Sequence, residues 1–447
     1  MERNSANAIR IDGLPVSRAY FNSAIPLVLS LIVTIVYGLV DMYFVSATED
    51  ANLIAGVSLI APVYTMLMAF GDVFGYGGGA LLAQHLGKKD HLKTKQISSF
   101  AFWSALGFGT IVAVLLLLFK APFVRLLGAD ADTFPYAADY FFWIALAAPF
   151  VLVYCTFLNV ARSDGKAKEA MVAVVAGTVV NLLLDPLFIF RLGMGAAGAS
   201  LSTFIGMFVE AAGCVLICVR HSDTVSISPR HVRLDRRSVW EMLSVGFSSS
   251  LTNVAQMVML VATNLYLASY STLAVSAMGI VQKVAMISYL LLLGFALGAQ
   301  PLLGRAYGAG EKDQLRAILA CATKVCLAAA ILLTVVIEIF APQIMTLFID
   351  DGEIVFMGRQ MLRIQYAATV FQAFVLVVFS LGMSVGDART PFVLSVLRQG
   401  VVFLGAIFLL SNLFGYYGVL SAQPAADLVT AGIAFFLLSK RLKARIQ

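Results

Sequence analysis

A run of about twenty apolar residues can carry a chain through the hydrocarbon of a bilayer as one helix, because a helix satisfies its own backbone N–H and C=O groups. Twelve such runs fill this sequence, at about 18–45, 53–83, 97–119, 133–158, 169–190, 194–219, 239–268, 273–303, 317–340, 356–384, 391–411 and 416–439. They account for most of the 447 residues and explain a composition that is 60% hydrophobic and only 13% charged. Soluble domains run at about 45–50% apolar and about 25% charged, so a water-soluble enzyme and a disordered chain are both excluded. The first run is far longer than a signal-peptide core of about 7–15 residues and reads as a retained span. The expectation is an all-α polytopic membrane protein with twelve transmembrane helices.

The net charge of +6 is a matter of topology. With the N-terminus placed in the cytoplasm, 23 of the 31 Lys and Arg residues fall on the inner side, from Arg3, Arg10 and Arg18 through Lys88–Lys95 to Lys440–Arg445. Only Lys120, Arg125 and Arg191 fall in outer loops. That bias orients the chain with both termini cytoplasmic, in a cell (inner) membrane, and gives nucleic-acid binding no support. The five cysteines lie inside apolar runs; Cys214 and Cys218 share a helix face with no acid or histidine beside them, so they read as packing residues.

The chain also repeats. Leu81–Asp90 ends the second span much as Leu302–Gly308 and Lys312-Asp313 end the eighth. Asp164-Gly165-Lys166 has a counterpart in Gly386–Arg389, and Gly195-x-x-Gly198 in Gly415-x-x-Gly418, all at an offset near 221. Six spans per repeat is an even number, so the halves share one orientation. The expected organisation is two pseudo-symmetric six-helix bundles, 1–220 and 239–447, joined by a cytoplasmic linker at 221–238. This is the plan of an alternating-access carrier. Gly71, Gly75 and Gly79, and Gly294 with Gly298, have the four-residue spacing of close helix contacts.

The loop Gln84-His85-Leu86-Gly87-Lys88-Lys89-Asp90 and its later copy at Gly308 differ from the G-x-x-x-D-[RK] loop usual in major facilitator carriers. Further features are Pro26, then Tyr37 and Asp41 in Y-G-L-V-D-M-Y-F-V; Gly56-Val57-Ser58 and Pro62; and Asn181-Leu-Leu-Leu-Asp185-Pro186-Leu-Phe-Ile-Phe leading to Gly195–Thr203. On these residues the whole chain resembles the multidrug and toxic compound extrusion (MATE) family, and Ala422–Asp427 is similar to its prokaryotic multidrug branch. The resemblance implies an antiporter that exports organic cations in exchange for H⁺ or Na⁺.

Acids inside a membrane are rare and mark function by default. Asp41 and Asp185 each sit ~6–8 Å below the outer end of their spans, by the rise of an α-helix. Tyr37 lies one turn from Asp41, Asn181 one turn from Asp185, and Thr203 enters the sixth span at similar depth. Two carboxylates in one dry cavity repel and lack water, so they can share a proton. The same oxygens, those of Asp41, Asp185 and Asn181, could instead coordinate Na⁺. Pro26 would let the first span bend when the ion binds. No resident cofactor and no other metal is expected. Asp72, Glu210 and Glu338 read as residues near the ends of their spans, exposed at an interface.

Sodium-coupled family members typically carry acids in the seventh and tenth spans. Here no Asp or Glu occurs between Glu241 and Glu311, nor between Glu353 and Asp387, so the resemblance favours proton coupling through the first half. In the second half, Lys283 and Asp427 have matching depth and are expected to pair, with Arg398 sharing. Candidates for lining a substrate cavity are Tyr37, Met66, Phe157, Asn159, Gln256, Met257, Lys283, Tyr289, Arg398 and Asp427. The expected partners are small cationic or amphipathic molecules and membrane lipids, with the chain acting as a monomer. A flippase or exporter of lipid-linked or amphiphilic metabolites is the alternative function. A membrane enzyme finds no H-E-x-x-H, G-x-S-x-G or phosphate-loop motif to support it.

Overall fold

The computed structural model describes residues 10–11 and 13–442. Arg3, Lys443 and Arg445, counted above among the inner charges, lie outside the described residues. After a two-residue antiparallel pairing of Arg10–Ile11 with Leu14–Pro15, the chain is helical. The helices are α1 (Val16–Ser46), α2 (Ala51–Gly87), α3 (His91–Leu118), α4 (Lys120–Leu126), α5 (Phe134–Ser163), α6 (Ala167–Pro186), α7 (Gly195–His221) and α8 (Arg236–Ala268). They continue as α9 (Thr272–Gly298), α10 (Gln300–Ala309), α11 (Lys312–Thr346), α12 (Gly352–Tyr366), α13 (Thr369–Ser384), α14 (Arg389–Val396) and α15 (Val402–Phe436).

Ten helical stretches among the described residues are long and apolar enough to cross a bilayer, and α12 with α13, bent by 47°, forms an eleventh. One of the ten, Arg389–Lys440, is 52 residues long. A continuous helix of that length would reach ~78 Å, more than two hydrocarbon cores of ~30 Å. It is broken at Gly415, whose φ of 57° and ψ of −132° are not helical. Counting a span on each side of Gly415 gives the expected twelve. Leu183, Leu265 and Leu332 are each more than 60% exposed, a liability in water and the expected surface against lipid chains.

The repeat survives at the level of elements. Thr272 and Lys312, which open α9 and α11, lie 221 residues after Ala51 and His91, which open α2 and α3. The left-handed loop residues repeat as well: Gly165 (φ 89°) with Gly386 (φ 69°), and Lys89 (φ 58°) with Gly310 (φ 74°), each pair again 221 apart. Glycine costs nothing in that conformation, whereas Lys89 carries a side chain there.

By packing, the chain forms two compact units: Leu29–Phe247, and the segment up to Val28 together with the residues from Ser248 onward. In the first unit α5 is central, with α2, α3 and α7 packed on it. The glycine stripe of α2 is its contact with α5. A Cβ at Gly71 would fall 2.7 Å from Cys155 Cβ, one at Gly75 2.7 Å from Cys155 O, and one at Gly79 3.1 Å from Ser163 Oγ. The start of α8 packs on α2 in the same way: Gly77 leaves room for Met242 O, and Gly246 for Val73 O. The segment between α7 and α8 is bound to α3. Ser99 Oγ donates to Ser228 O (2.5 Å), Trp103 Nε1 to Ile227 O (3.0 Å), and Lys93 pairs with Asp235. In the second unit Tyr20 Oη donates to Phe295 O (2.8 Å), and a Cβ at Gly298 would fall 2.5 Å from Ala24 Cα.

Candidate functional site

The acids near the outer ends of α1 and α6 meet inside the first unit, where α7 supplies hydroxyls. Asp185 ends α6 because Pro186 follows: proline has no N–H for the carbonyl of Leu182, and the chain continues as a π-helical turn, Leu187–Arg191. Asp185 is fully buried, and Ser202 Oγ donates to its Oδ1. The Asn181 amide orients to satisfy its surroundings. Its Nδ2 donates to Asp185 Oδ2 (3.0 Å), while its oxygen accepts from Thr203 N (3.1 Å) and from Tyr37 Oη (3.0 Å). Thr203 Oγ1 lies 3.4 Å from Tyr37 Oη. The Asp41 carboxyl faces that of Asp185 within hydrogen-bonding reach. Its Oδ1 is enclosed without a hydrogen-bond partner.

All five residues expected at a coupling site therefore form one network. Two others were not foreseen. Ser202 precedes Thr203 by one residue and takes one Asp185 oxygen. Tyr140, from α5, lies beside Thr203. Nothing in the spacing of α5 singles Tyr140 out among its neighbouring aromatics, since only the approach of α5 to α7 brings it to the site. Pro26 lies buried in α1, two residues before the packing boundary at Val28.

The second half differs from expectation in one respect. Asp427 pairs with Arg398, whose Nε lies 2.6 Å from Oδ1; both side chains are about 95% buried. Lys283 is exposed and takes no part. Matching depth along two helices does not fix which way each side chain turns, and Lys283 and Asp427 sit on different faces. Gln423 Nε2 also donates to Asp427 (3.2 Å), and the Arg398 guanidinium stands 5.8 Å from the centre of the Tyr289 ring. Gln256 is half-buried and Met257 exposed.

Asn159 and Phe157 are buried in the first unit. Asn159 Nδ2 donates to Cys155 O (2.8 Å), and its oxygen accepts from Arg162. Phe157 stacks edge-on against Phe102 at 5.5 Å. Met66 is half-buried. Glu338 is half-buried and pairs with Arg363 at 3.4 Å, as suits an interface. Glu210 is not exposed as expected: it is 3% accessible, inside the bundle. No group of three or more His, Cys, Asp or Glu side chains placed to hold a metal ion occurs among the described residues.

Comparison with known proteins agrees with this architecture. The sequence profile of the MatE family matches residues 26–187 and again 249–408, once per repeat. The chain is 27% identical over 424 residues to the multidrug export protein MepA of Staphylococcus haemolyticus (strain JCSC1435), covering 94% of this chain and 93% of that protein. It is 26% identical over 437 residues to MepA of Staphylococcus aureus (strain N315), covering 97% and 95%. One solved structure, described as the outward-facing conformation of a multidrug resistance MATE family transporter of the MOP superfamily, superposes with a TM-score of 0.90 at 23% identity over 97% of each chain. A MATE crystal structure in complex with MaL6 gives the same score and identity, over 96% of this chain and 97% of its own. At that identity the structures establish the fold.

Proposed function

The chain belongs to the MatE family, and from that premise we propose that it is a secondary active antiporter exporting organic cations in exchange for protons by alternating access. The observation that carries the reading is the placement of the half-buried Asp41 carboxyl beside the buried Asp185, which Asn181 joins to Tyr37 and Thr203 in one hydrogen-bonded network. Two carboxylates placed together away from water repel each other, and a shared proton relieves that repulsion. When the pair is ionised, its negative charge attracts an organic cation; when it gains a proton, that attraction is lost and the cation leaves. Tyr37 and Asn181 tie α1 to α6, and Thr203 ties both to α7. A change of charge at the pair thus rearranges bonds on three helices, and Pro26 gives α1 a place to bend.

The relatives named as multidrug export proteins support the choice of small drug-like cations as substrates. The resemblance and the charge bias support a monomer in the cell (inner) membrane with cytoplasmic termini. Proton coupling is preferred over Na⁺ because the Asn181 oxygen is already taken by Thr203 N and Tyr37 Oη, leaving few free oxygens around a metal ion.

The test is ethidium efflux from proteoliposomes holding the full chain, under a pH gradient or a Na⁺ gradient. Efflux driven by the pH gradient and abolished in Asp41→Asn is the expected result. Efflux driven by Na⁺ alone recasts the same oxygens as a cation site. No movement under either gradient favours the flippase alternative.

A further inference from the structure

α6 and α7 pack closely where glycines remove side chains. A Cβ at Gly206 would fall 2.9 Å from Asn181 Cβ, and one at Gly213 2.9 Å from Ala173 Cβ. At Gly177 a Cβ would fall 2.2 Å from Glu210 Cγ. Glu210 therefore fills the space that a side chain at position 177 would need. Its Oε1 lies 3.3 Å from the donor hydroxyl of Thr178. Within electrostatic range of it are Tyr64 from α2, Tyr154 and Cys155 from α5, and Cys214 from its own helix. Arg162 is within electrostatic range of Tyr154 and Cys214, two of these groups, and of Asp72. Among the described residues Glu210 forms no ion pair.

This acid is in line with the outer pair. Thr178 is seven residues before Asp185 on α6, and Glu210 eight after Ser202 on α7, so the two carboxyl levels are ~10–12 Å apart along the same helix pair. Tyr64 lies between them. It is within electrostatic range of both Asp41 and Glu210, and its hydroxyl points to Met207 Sδ (3.5 Å), between Thr203 and Glu210 on α7. A carboxylate buried without a cation is strongly disfavoured, so it holds a proton or receives one.

We propose that Glu210 is a second proton-binding site, which exchanges a proton with the Asp41–Asp185 pair during transport. In this step one O–H bond at the pair breaks and one forms at Glu210, so that the pair gains the negative charge that Glu210 loses; Glu210 then gives the proton to water, and no other reactant is consumed. The inference rests on the proton-coupled reading above.

The experiment uses purified full-length chain. It counts protons released per ethidium bound in weakly buffered detergent solution, and follows ethidium efflux under a pH gradient after reconstitution. Glu210→Gln keeps the shape of the side chain and should bind ethidium. Its pH-driven efflux should fall about a hundredfold, the scale of losing a proton-transfer group, and it should release fewer protons per ethidium than the unsubstituted protein. Unchanged efflux overturns the proposal. So does slow efflux with an unchanged proton count, which would mean a structural role. If Glu210→Gln does not fold, Thr178→Val retains the acid and removes its donor; the pH midpoint of efflux should then move by about half a unit. An unmoved midpoint overturns the proposal. If the unsubstituted protein shows no pH-driven efflux at all, the coupling reading itself fails, and this inference with it.

Discussion

Asp185 is held on both oxygens, by Ser202 and by Asn181, and the two donors should differ in worth. Ser202→Ala removes one bond and leaves a buried oxygen without a partner, a cost of about 1–3 kcal/mol. Asn181→Ala removes three bonds that link three helices and should cost more; thermal unfolding in detergent ranks the two. The Arg398–Asp427 pair allows a stricter test. Reversing either charge alone leaves two like charges buried together and should destabilise by about 3–5 kcal/mol or more, while the double swap Arg398→Asp with Asp427→Arg should recover much of the loss. A double swap no better than the single reversals would show that the two charges do not act as a pair. The intramembrane acids themselves were legible in the sequence, because few such residues survive in twelve apolar runs. Their partners were not: matching depth pointed to Lys283 as the mate of Asp427, with Arg398 only sharing, since depth follows from counting residues and facing does not.

At the scale of elements, glycine decides which helices touch. The four-residue spacing of Gly71, Gly75 and Gly79 announced a close contact, and the structure assigns it to α5. Gly75→Leu forces a branched side chain against Cys155 O and Asn159, and should lower stability by about 1–3 kcal/mol through overpacking. The same change at Gly107, which has nothing within 4 Å of its Cβ position, should be far milder. The segment between α7 and α8 reads from sequence as a polar linker, yet Ser226 N also bonds to Ser98 Oγ (3.0 Å) and Thr224 Oγ1 to Asp164 (2.5 Å). Limited proteolysis should therefore cut it slowly, and faster in Trp103→Phe, which lacks the indole donor for Ile227 O. Equal cutting rates would count against a docked segment.

On the scale of the molecule, the sequence repeat and the packing units do not coincide. The repeat divides the chain between its sixth and seventh spans. Packing instead groups the start of α8 with α2, and the start of α1 with α9, through contacts at Gly77 and Gly298. Those two glycines are 221 residues apart, so both contacts belong to the repeat itself. A chain cut between Val232 and Arg233 should accordingly yield halves that are unstable when expressed singly and that restore transport when expressed together. Stable single halves would contradict this.

The sequence by itself determined how many times the chain crosses the bilayer, which of its acids fall within apolar runs, and that the chain is built twice. These properties follow from run length, charge placement and offset, all of which lie along one dimension. Only the tertiary structure decided which of those acids are enclosed and what they meet. Glu210 is buried because Gly177, on another helix, gives it room, and Asp427 meets Arg398 because a π-helical turn, Leu397–Val401, carries that arginine. The physical reason is that the direction of a side chain in a packed bundle is set by the shape of its neighbour, which no periodicity within its own helix encodes.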